Sequence, residues 1–138
     1  MEWKQDKKVL QAYEMAKKAQ ANAYAPYSKF QVGACFMLES GEFFSGCNME
    51  NVVMGASICA EINAMGEIIK TTQKRKIQFL VVVVKAEKAI PPCGVCQQVL
   101  WEFIDKNTPI YLANLEELQR KTCLNELMPH YPGSWVDA

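Results

Sequence analysis

Two short segments contain the residue types from which a metal-dependent catalytic site can be built. Cys59 and Glu61 lie two residues apart, and Cys93 and Cys96 form a C-x-x-C pair directly after Pro92. Three thiol ligands leave one corner of a tetrahedral zinc ion open, which is typical of a catalytic zinc site rather than a structural one. An ion bound in this way acidifies water, which then becomes a nucleophile near neutral pH. Glu61 is too close to Cys59 in sequence to bind the same ion and could instead move protons.

The predicted secondary structure places these thiols at the beginnings of two helices. We expect one helix over residues 57–70, capped by Ser57, and a second over residues 94–106. Cys59 and Cys93 would then lie at helix N-termini, where the partial positive charge lowers the pKa of a thiol. Two converging helix starts would present three thiolates to one cation.

The remaining segments predict alternating helices and strands. Hydrophobic spacing indicates a helix over residues 3–24, and the continuous β-branched run over 79–84 is typical of a strand buried on both faces. The other predicted elements are a hairpin of strands over 30–38 and 43–48, a strand over 109–112, and one or two short helices within 115–128. A mixed sheet covered by helices is the economical fold for this order, and we expect one domain over residues 1–138.

Composition argues against several classes of protein. Fifteen basic and fifteen acidic side chains balance, which argues against a nucleic-acid partner, because phosphate binding needs a basic face. No apolar run approaches the roughly 18 residues of a membrane span, and the N-terminus lacks the apolar segment of a signal peptide. We therefore expect a cytoplasmic protein without membrane contact. In a reducing compartment the six cysteines indicate metal binding or reactive thiols rather than disulfides.

Five segments, in chain order, resemble the small cytidine deaminases that act on free nucleosides. They are residues 27–34 (Y-S-K-F-Q-V-G-A against the family's Y-S-x-F-x-V-G-A), 46–51 (G-C-N-M-E-N against G-x-N-x-E-N), 59–61 (C-A-E), 92–96 (P-C-G-V-C) and 126–129 (E-L-M-P against E-L-L-P). The resemblance extends from residue 27 to residue 129, nearly the whole domain. It implies an α/β fold of three layers, α-β-α, around a mixed five-stranded sheet.

The same resemblance implies the reaction and its residues. Cys59, Cys93 and Cys96 bind Zn²⁺, and Glu61 transfers protons to N3 of the pyrimidine and to the leaving amino group. The residues that it implies for substrate binding are Phe30, Asn48, Glu50, Ala60, Pro92 and Tyr131. The reaction is the hydrolytic deamination of cytidine or deoxycytidine to uridine or deoxyuridine with release of ammonia, a step of pyrimidine salvage. The small-molecule substrate is a nucleoside, and members of the family usually form homotetramers.

The resemblance also assigns parts of the nucleoside to particular residues. The backbone of Ala60 holds pyrimidine O2, and the carbonyl of Pro92 receives the amino group. Asn48 and Glu50 hold the ribose hydroxyls, and an extended chain would turn these two side chains to the same side. Phe30 packs on the nucleoside.

Several positions depart from the family pattern. Relatives with three Cys ligands commonly have Arg where this chain has Ile62 and Gln97. Without that charge beside three thiolates, we expect slower turnover or a higher pH optimum. Met54 replaces a Tyr that reaches a neighbouring active site in relatives. Tyr131 comes one residue earlier than the family's C-terminal aromatic, so either Tyr131 or Trp135 covers the base.

Four other interpretations remain open from the sequence. Blasticidin S deaminases share the zinc segments and also lack Arg after C-A-E, but they lack the sugar-binding Glu, so Glu50 favours cytidine over this or another modified cytosine. A structural zinc module would need a fourth ligand, and the candidates are Cys35, Cys47, Cys123 and His130. A polynucleotide-editing enzyme would need a basic surface with stacking aromatic side chains. A thiol redox pair would need only the C-x-x-C motif.

Overall fold

A mixed sheet of five strands organises the chain in the computed structural model, which describes residues 1–130. The strands are β1 (Val32–Leu38), β2 (Phe43–Cys47), β3 (Ile77–Val84), β4 (Ile110–Asn114) and β5 (Leu118–Thr122). The helices are α1 (Lys7–Ala21), α2 (Ala60–Thr71), α3 (Gly94–Phe103) and the short α4 (Leu124–Leu127), with 3₁₀ turns at Glu2–Gln5 and Met54–Ala56.

The strand order is β2-β1-β3-β4-β5, with one parallel pair in an otherwise antiparallel sheet. The parallel pair is β3 with β4, and α3 lies in the crossover that joins them. A parallel connection needs such a crossover because the chain must return to the same end of the sheet before it starts the second strand. The loop from β3 into α3 contains Pro92 and ends at Cys93.

Side chains of β1 alternate between two hydrophobic clusters, one on each face of the sheet. Phe36 packs in a cluster with Ala64 of α2 and Leu100 of α3, whereas Cys35 packs in the other cluster with Ala16 of α1. Helices therefore cover both faces of the sheet, which follows from a strand that is apolar on both sides. The predicted three-layer α-β-α fold with a mixed five-stranded sheet is confirmed.

The first helix is shorter than the predicted helix over residues 3–24. Asp6 interrupts it, because its side-chain oxygen accepts hydrogen bonds from the backbone N–H groups of Lys8 (2.9 Å) and Val9 (3.2 Å) and so caps α1. An aspartate in this role satisfies donors that have no partner inside the helix.

Three other sequence predictions were wrong in detail. Residues 118–122 form β5 rather than helix, because the segment L-Q-R-K-T pairs with β4 at the edge of the sheet and has no apolar alternation that would reveal a strand. Ser57 does not cap α2. Its hydroxyl instead accepts a hydrogen bond from the backbone N–H of Asn51 at 3.0 Å, and Cys59 occupies the cap position. The third predicted helix ends at Phe103 rather than at residue 106.

None of the helices in residues 1–130 combines the length and the apolar character that crossing a membrane would need.

Candidate active site

Three thiols meet where the first turns of α2 and α3 approach each other. Cys59 is the N-cap residue of α2, Cys93 is the N-cap residue of α3, and Cys96 lies in the first turn of α3. The Sγ atoms of Cys59 and Cys93 are 3.8 Å apart, and those of Cys93 and Cys96 are 3.7 Å apart. Tetrahedral zinc with Zn–S bonds of about 2.3 Å places its sulfurs about 3.8 Å from each other. The three cysteines therefore form a group that could bind one metal ion of this size.

The thiols differ in how readily they lose a proton. The pKa of Cys59 falls from 9.0 to about 6, chiefly because the thiol of Cys96 hydrogen-bonds to its sulfur. The pKa of Cys96 is correspondingly raised, first by that same hydrogen bond and then by burial. Cysteines bind metal ions as thiolates, so a cation at this position would stabilise the deprotonated form of each thiol.

Glu61 lies in the first turn of α2 and is only 4% exposed. Burial is the main cause that raises the pKa of its carboxyl from 4.5 to about 7, and the charge on Cys59 contributes to the same increase. A carboxyl that exchanges its proton near neutral pH can act as both general base and general acid. Such a shifted group beside three thiols marks a candidate catalytic centre.

One cavity of about 280 Å³ joins these groups to the predicted substrate-binding residues. Every site residue predicted from the sequence that falls within residues 1–130 lines it: Phe30, Asn48, Glu50, Cys59, Ala60, Glu61, Pro92, Cys93 and Cys96. Tyr131 and its alternative Trp135 lie outside the described residues. The fold thus brings together side chains from four separate segments of the chain.

Asn48 and Glu50 both bind the backbone of residues 27–32, which lead into β1. The Asn48 amide donates to the carbonyl of Phe30 at 2.9 Å and accepts from the N–H of Val32 at 2.8 Å. The Glu50 carboxylate accepts hydrogen bonds from the N–H of Tyr27 (3.1 Å), the N–H of Ser28 (3.0 Å) and the Ser28 hydroxyl. The hydrogen bond from the Ser28 hydroxyl is the main cause that lowers the pKa of Glu50.

These contacts hold Asn48 and Glu50 in place while leaving part of their bonding capacity free. An amide has two donors and a carbonyl with two lone pairs, and a carboxylate has about four acceptor positions. The sequence reasoning did not identify Ser28 as a site residue. It lines the cavity and bonds to Glu50, and its place in the Y-S-x-F segment was the available signal.

Gln97 bonds to the backbone of the cavity wall. Its side-chain amide donates to the carbonyl of Pro92 at 2.7 Å. A glutamine amide can also donate to sulfur, which would compensate in part for the missing Arg, but the structure shows the Pro92 carbonyl as the partner of Gln97. A carbonyl oxygen has two lone pairs, so Pro92 retains an acceptor position beside the one that Gln97 uses.

Within residues 1–130, the group that could hold a metal ion consists of Cys59, Cys93 and Cys96. Cys35, one of the candidate fourth ligands, is fully buried and packs in the cluster of α1. The described part of the chain therefore offers three metal ligands from protein, the number typical of an open site.

The chain is similar in sequence to a deaminase family model and to cytidine deaminases of other organisms. The family model for the "cytidine and deoxycytidylate deaminase zinc-binding region" matches residues 6–112. The chain is 40% identical over 114 residues to the cytidine deaminase of Sporosarcina psychrophila, covering 83% of each protein. It is 36% identical over 111 residues to the cytidine deaminase of Halalkalibacterium halodurans, covering 80% of this chain and 83% of that protein.

The fold is similar to those of solved cytidine deaminase structures, and the sequence is also similar to that of a blasticidin-S deaminase. The crystal structure of cytidine deaminase from Burkholderia pseudomallei superposes with a TM-score of 0.80 at 34% identity, covering 88% of this chain and 96% of that one. Cytidine deaminase from Mycobacterium tuberculosis gives a TM-score of 0.79 at 32% identity, with 93% and 99% covered. The blasticidin-S deaminase of Bacillus cereus is 25% identical over 105 residues, covering 66% of this chain and 75% of that protein.

Proposed function

This chain belongs to the cytidine and deoxycytidylate deaminase family, and we propose from that premise that it hydrolyses cytidine or deoxycytidine to uridine or deoxyuridine and ammonia. The observation that supports the proposal most directly is the placement of Glu61 and three cysteines in one cavity. The family match names the reaction class, and the site contains groups suited to its chemistry.

We propose that the metal is Zn²⁺, held by Cys59, Cys93 and Cys96. The support is the sulfur spacing, which fits a tetrahedral zinc ion, and the match to a zinc-binding region. Zinc in this position would supply Lewis-acid activation of the attacking water. The remaining steps depend on the chain's own groups.

Glu61 is the proposed proton carrier. Attack of water on C4 of the pyrimidine requires a base for the water and an acid at N3, because the ring is a weak electrophile. One carboxyl can serve both ends if its pKa lies near the working pH, and burial raises the pKa of Glu61 to about 7. Glu61 thus takes one proton from the water and gives it to N3. It then takes the second proton from the new C4 hydroxyl and gives it to the amino group, which leaves as ammonia while the C4 carbonyl forms.

Backbone groups are proposed to orient the pyrimidine. Ala60 is the first residue of α2, so its N–H has no acceptor within the helix and can donate to pyrimidine O2. The Pro92 carbonyl keeps a lone pair for the 4-amino group beside its bond to Gln97. Phe30, which also lines the cavity, would pack on the nucleoside.

Asn48 and Glu50 are proposed to bind the ribose hydroxyls. Their contacts with residues 27–32 would fix both side chains before substrate arrives. Free cytosine has no sugar and would leave these polar groups unpaired, so we expect the site to reject it by a large factor. Tyr131 lies outside the described residues, and its proposed contact with the base follows from the family resemblance alone.

We also propose a homotetramer in the cytoplasm. Neighbouring residues before α2 expose large apolar side chains, with Val52 73%, Val53 65% and Met54 85% exposed. An exposed apolar patch commonly marks a protein–protein interface. Six unpaired cysteines suit a reducing compartment. Light scattering coupled to size-exclusion chromatography of the intact protein tests the tetramer directly.

The reaction is tested by incubating the purified protein with cytidine, deoxycytidine, cytosine and blasticidin S while following the ultraviolet change on deamination. We expect turnover of the two nucleosides and little of cytosine or blasticidin S, since only the nucleosides offer the sugar hydroxyls to Asn48 and Glu50. Preference for blasticidin S would instead assign the chain to that second activity, which Ile62 and the Bacillus cereus relative would then explain.

A further inference from the structure

The loop from β3 to α3 forms one wall of the cavity and ends at a proposed metal ligand. It begins after Val84 and reaches α3 at its N-cap residue Cys93. On the way, Ile90, Pro91 and Pro92 face the cavity. The loop has no helix or strand of its own, so its position must be set by contacts with other elements.

Gln119 of β5 binds this loop with both ends of its side-chain amide. Its Oε1 accepts from the backbone N–H of Ala89 at 2.6 Å, and its Nε2 donates to the carbonyl of Glu87 at 2.9 Å. The side-chain amide thus gives the loop backbone one acceptor and one donor, as the backbone of a neighbouring strand does in a sheet. Gln119 itself is outside the residues that line the cavity.

Asn114, the last residue of β4, binds the same loop at Glu87. Its Nδ2 also donates to the carbonyl of Glu87, at 2.8 Å. Asn114 is 4% exposed, and its Oδ1 accepts from the backbone N–H groups of Glu116 (3.0 Å) and Glu117 (2.9 Å). The carbonyl of Glu87 is thus fixed by two amides from neighbouring strands.

The segment between this anchor and the site is stiff. Pro91 and Pro92 each have φ restricted by the ring, and a residue before proline is confined to extended conformations, which restricts Ile90 and Pro91. A displacement of Ala89 would therefore pass to Pro92 and Cys93 with little absorbed by the chain between them. Gln97 holds the far end through the Pro92 carbonyl.

We propose that Gln119 is a positioning residue for the active site. By fixing Glu87 and Ala89 it sets the place of the Pro92 carbonyl and of the Cys93 thiol, although it touches neither. The consequence for catalysis rests on the proposed function. The wall that Gln119 anchors would face the 4-amino group of the substrate, so a fixed wall excludes cytidines with a larger substituent on that nitrogen.

The test compares Gln119→Ala with Gln78→Ala, since Gln78 is an exposed glutamine on β3 away from the cavity. A second variant, Gln119→Glu, keeps an acceptor for the Ala89 N–H and guards against a simple folding failure of the first. The rate of hydrogen exchange in the peptide containing Ala89 shows whether Gln119 still holds the loop. Binding of Co²⁺ to the metal-free protein, followed by thiolate-to-cobalt absorption, reports the position of Cys93.

We expect Gln119→Ala to exchange faster than wild type at residues 86–90 and to bind Co²⁺ up to about tenfold more weakly. Tenfold is the lower end of the range for residues that bond directly to a metal ligand, and Gln119 acts through the loop instead. Gln119→Glu keeps the acceptor for the Ala89 N–H but cannot donate to the Glu87 carbonyl, so it should also exchange faster than wild type at these residues. Gln78→Ala should match wild type. Kinetics should show a lower ratio of kcat/KM for cytidine over N4-methylcytidine in Gln119→Ala, because the wall no longer excludes the methyl group.

Unchanged exchange in Gln119→Ala, or faster exchange with unchanged Co²⁺ affinity, would overturn the positioning role. A wild-type protein without activity on cytidine would instead reject the proposed function. In that case exchange and Co²⁺ binding would still decide whether Gln119 positions the loop, because neither measurement depends on turnover.

Discussion

Glu61 combines burial with a position beside three thiols, and each of these properties has its own measurable effect. The carboxyl is enclosed by the fold, which makes its charged form costly. The neighbouring Cys59 is the thiol whose pKa is lowered, so negative charge accumulates on the residue two positions away. This charge and the burial both favour the protonated form of the carboxyl.

Replacing Glu61 with Gln should abolish turnover while leaving metal binding intact. The amide has nearly the same shape but can neither accept nor release the transferred proton. We expect kcat with cytidine to fall by at least about 10³-fold, within the range for loss of a general acid–base group. Metal content measured by elemental analysis should stay near wild type. An active Glu61→Gln protein would remove the carboxyl from the mechanism.

The raised pKa of Glu61 also predicts how the stability of the metal-free protein depends on pH. The carboxyl is protonated in both states below pH 4.5, and between pH 4.5 and about 7 the folded state holds the proton that the unfolded state has released. The free energy of unfolding therefore falls as pH rises through this window, and the full cost is present above pH 7. Glu61→Gln has no such cost.

Urea denaturation of wild type and Glu61→Gln, both in the presence of a chelator, measures this effect. The stability of the variant relative to wild type should increase by about 2 to 3 kcal/mol between pH 5 and pH 8. Cys59 is present in both proteins, so the difference reports the titration of Glu61 together with its interaction with that thiol. A difference that did not vary with pH would show that Glu61 titrates normally in the folded protein.

At the scale of elements, α2 and β2 act as one unit because a glycine allows them to touch. A Cβ at Gly46 would lie 2.6 Å from the backbone nitrogen of Ala64 and 2.8 Å from the carbonyl oxygen of Ala60. Asn63 adds a hydrogen bond from its amide to the Cys47 carbonyl at 2.7 Å. The helix that positions Cys59 and Glu61 is thereby joined to the strand that leads into Asn48.

Gly46→Ala should destabilise the protein and impair the site together. The added methyl group meets backbone atoms rather than a movable side chain, so α2 must shift away from β2. We expect a loss of about 1 to 3 kcal/mol in the free energy of unfolding, typical of overpacking. Metal affinity should decrease as well, because Cys59 moves with the helix.

Gly66→Ala is the matched control for this experiment, because Gly66 lies on α2, the helix that Gly46 contacts, with nothing within 4 Å of its added Cβ. This variant should keep wild-type metal affinity and gain up to about 1 kcal/mol, since alanine favours helix over glycine. Equal effects of the two substitutions would mean that the close approach at Gly46 does not hold α2 in place.

For the whole molecule, the metal would join parts of the chain that secondary structure leaves separate. Cys59 and Cys93 are 34 residues apart in sequence and belong to different helices. An ion bound to both would close this part of the chain in the folded state alone, so its binding free energy adds to folding stability.

Zinc should therefore raise the melting temperature of the metal-free protein. At a free zinc concentration a hundredfold above Kd, binding adds about 2.7 kcal/mol, which corresponds to roughly 10 °C for a chain of this size. Differential scanning fluorimetry with and without zinc measures the shift, and Cys93→Ser should show little of it. A Cys93→Ser protein with the full response would place the ion elsewhere.

Sequence alone was sufficient where local chemistry determines the outcome. The β-branched run of β3, the helices that begin after Cys59 and Cys93, and the spacing of the thiols are properties of short segments, and each was found at nearly the correct bounds. The family resemblance supplied the five-strand count, whereas local pattern missed β5 because its polar residues form a strand only through pairing with β4.

Tertiary structure decided the relations between distant segments. No spacing in the sequence shows that the thiols of Cys59 and Cys93 stand 3.8 Å apart, or that Gln97 turns to Pro92 rather than to sulfur. The link from Gln119 to Ala89 spans 30 residues and depends on the position of β5 at the sheet edge. Residue types determine which bonds can form, but only packing of the whole chain brings their partners within reach.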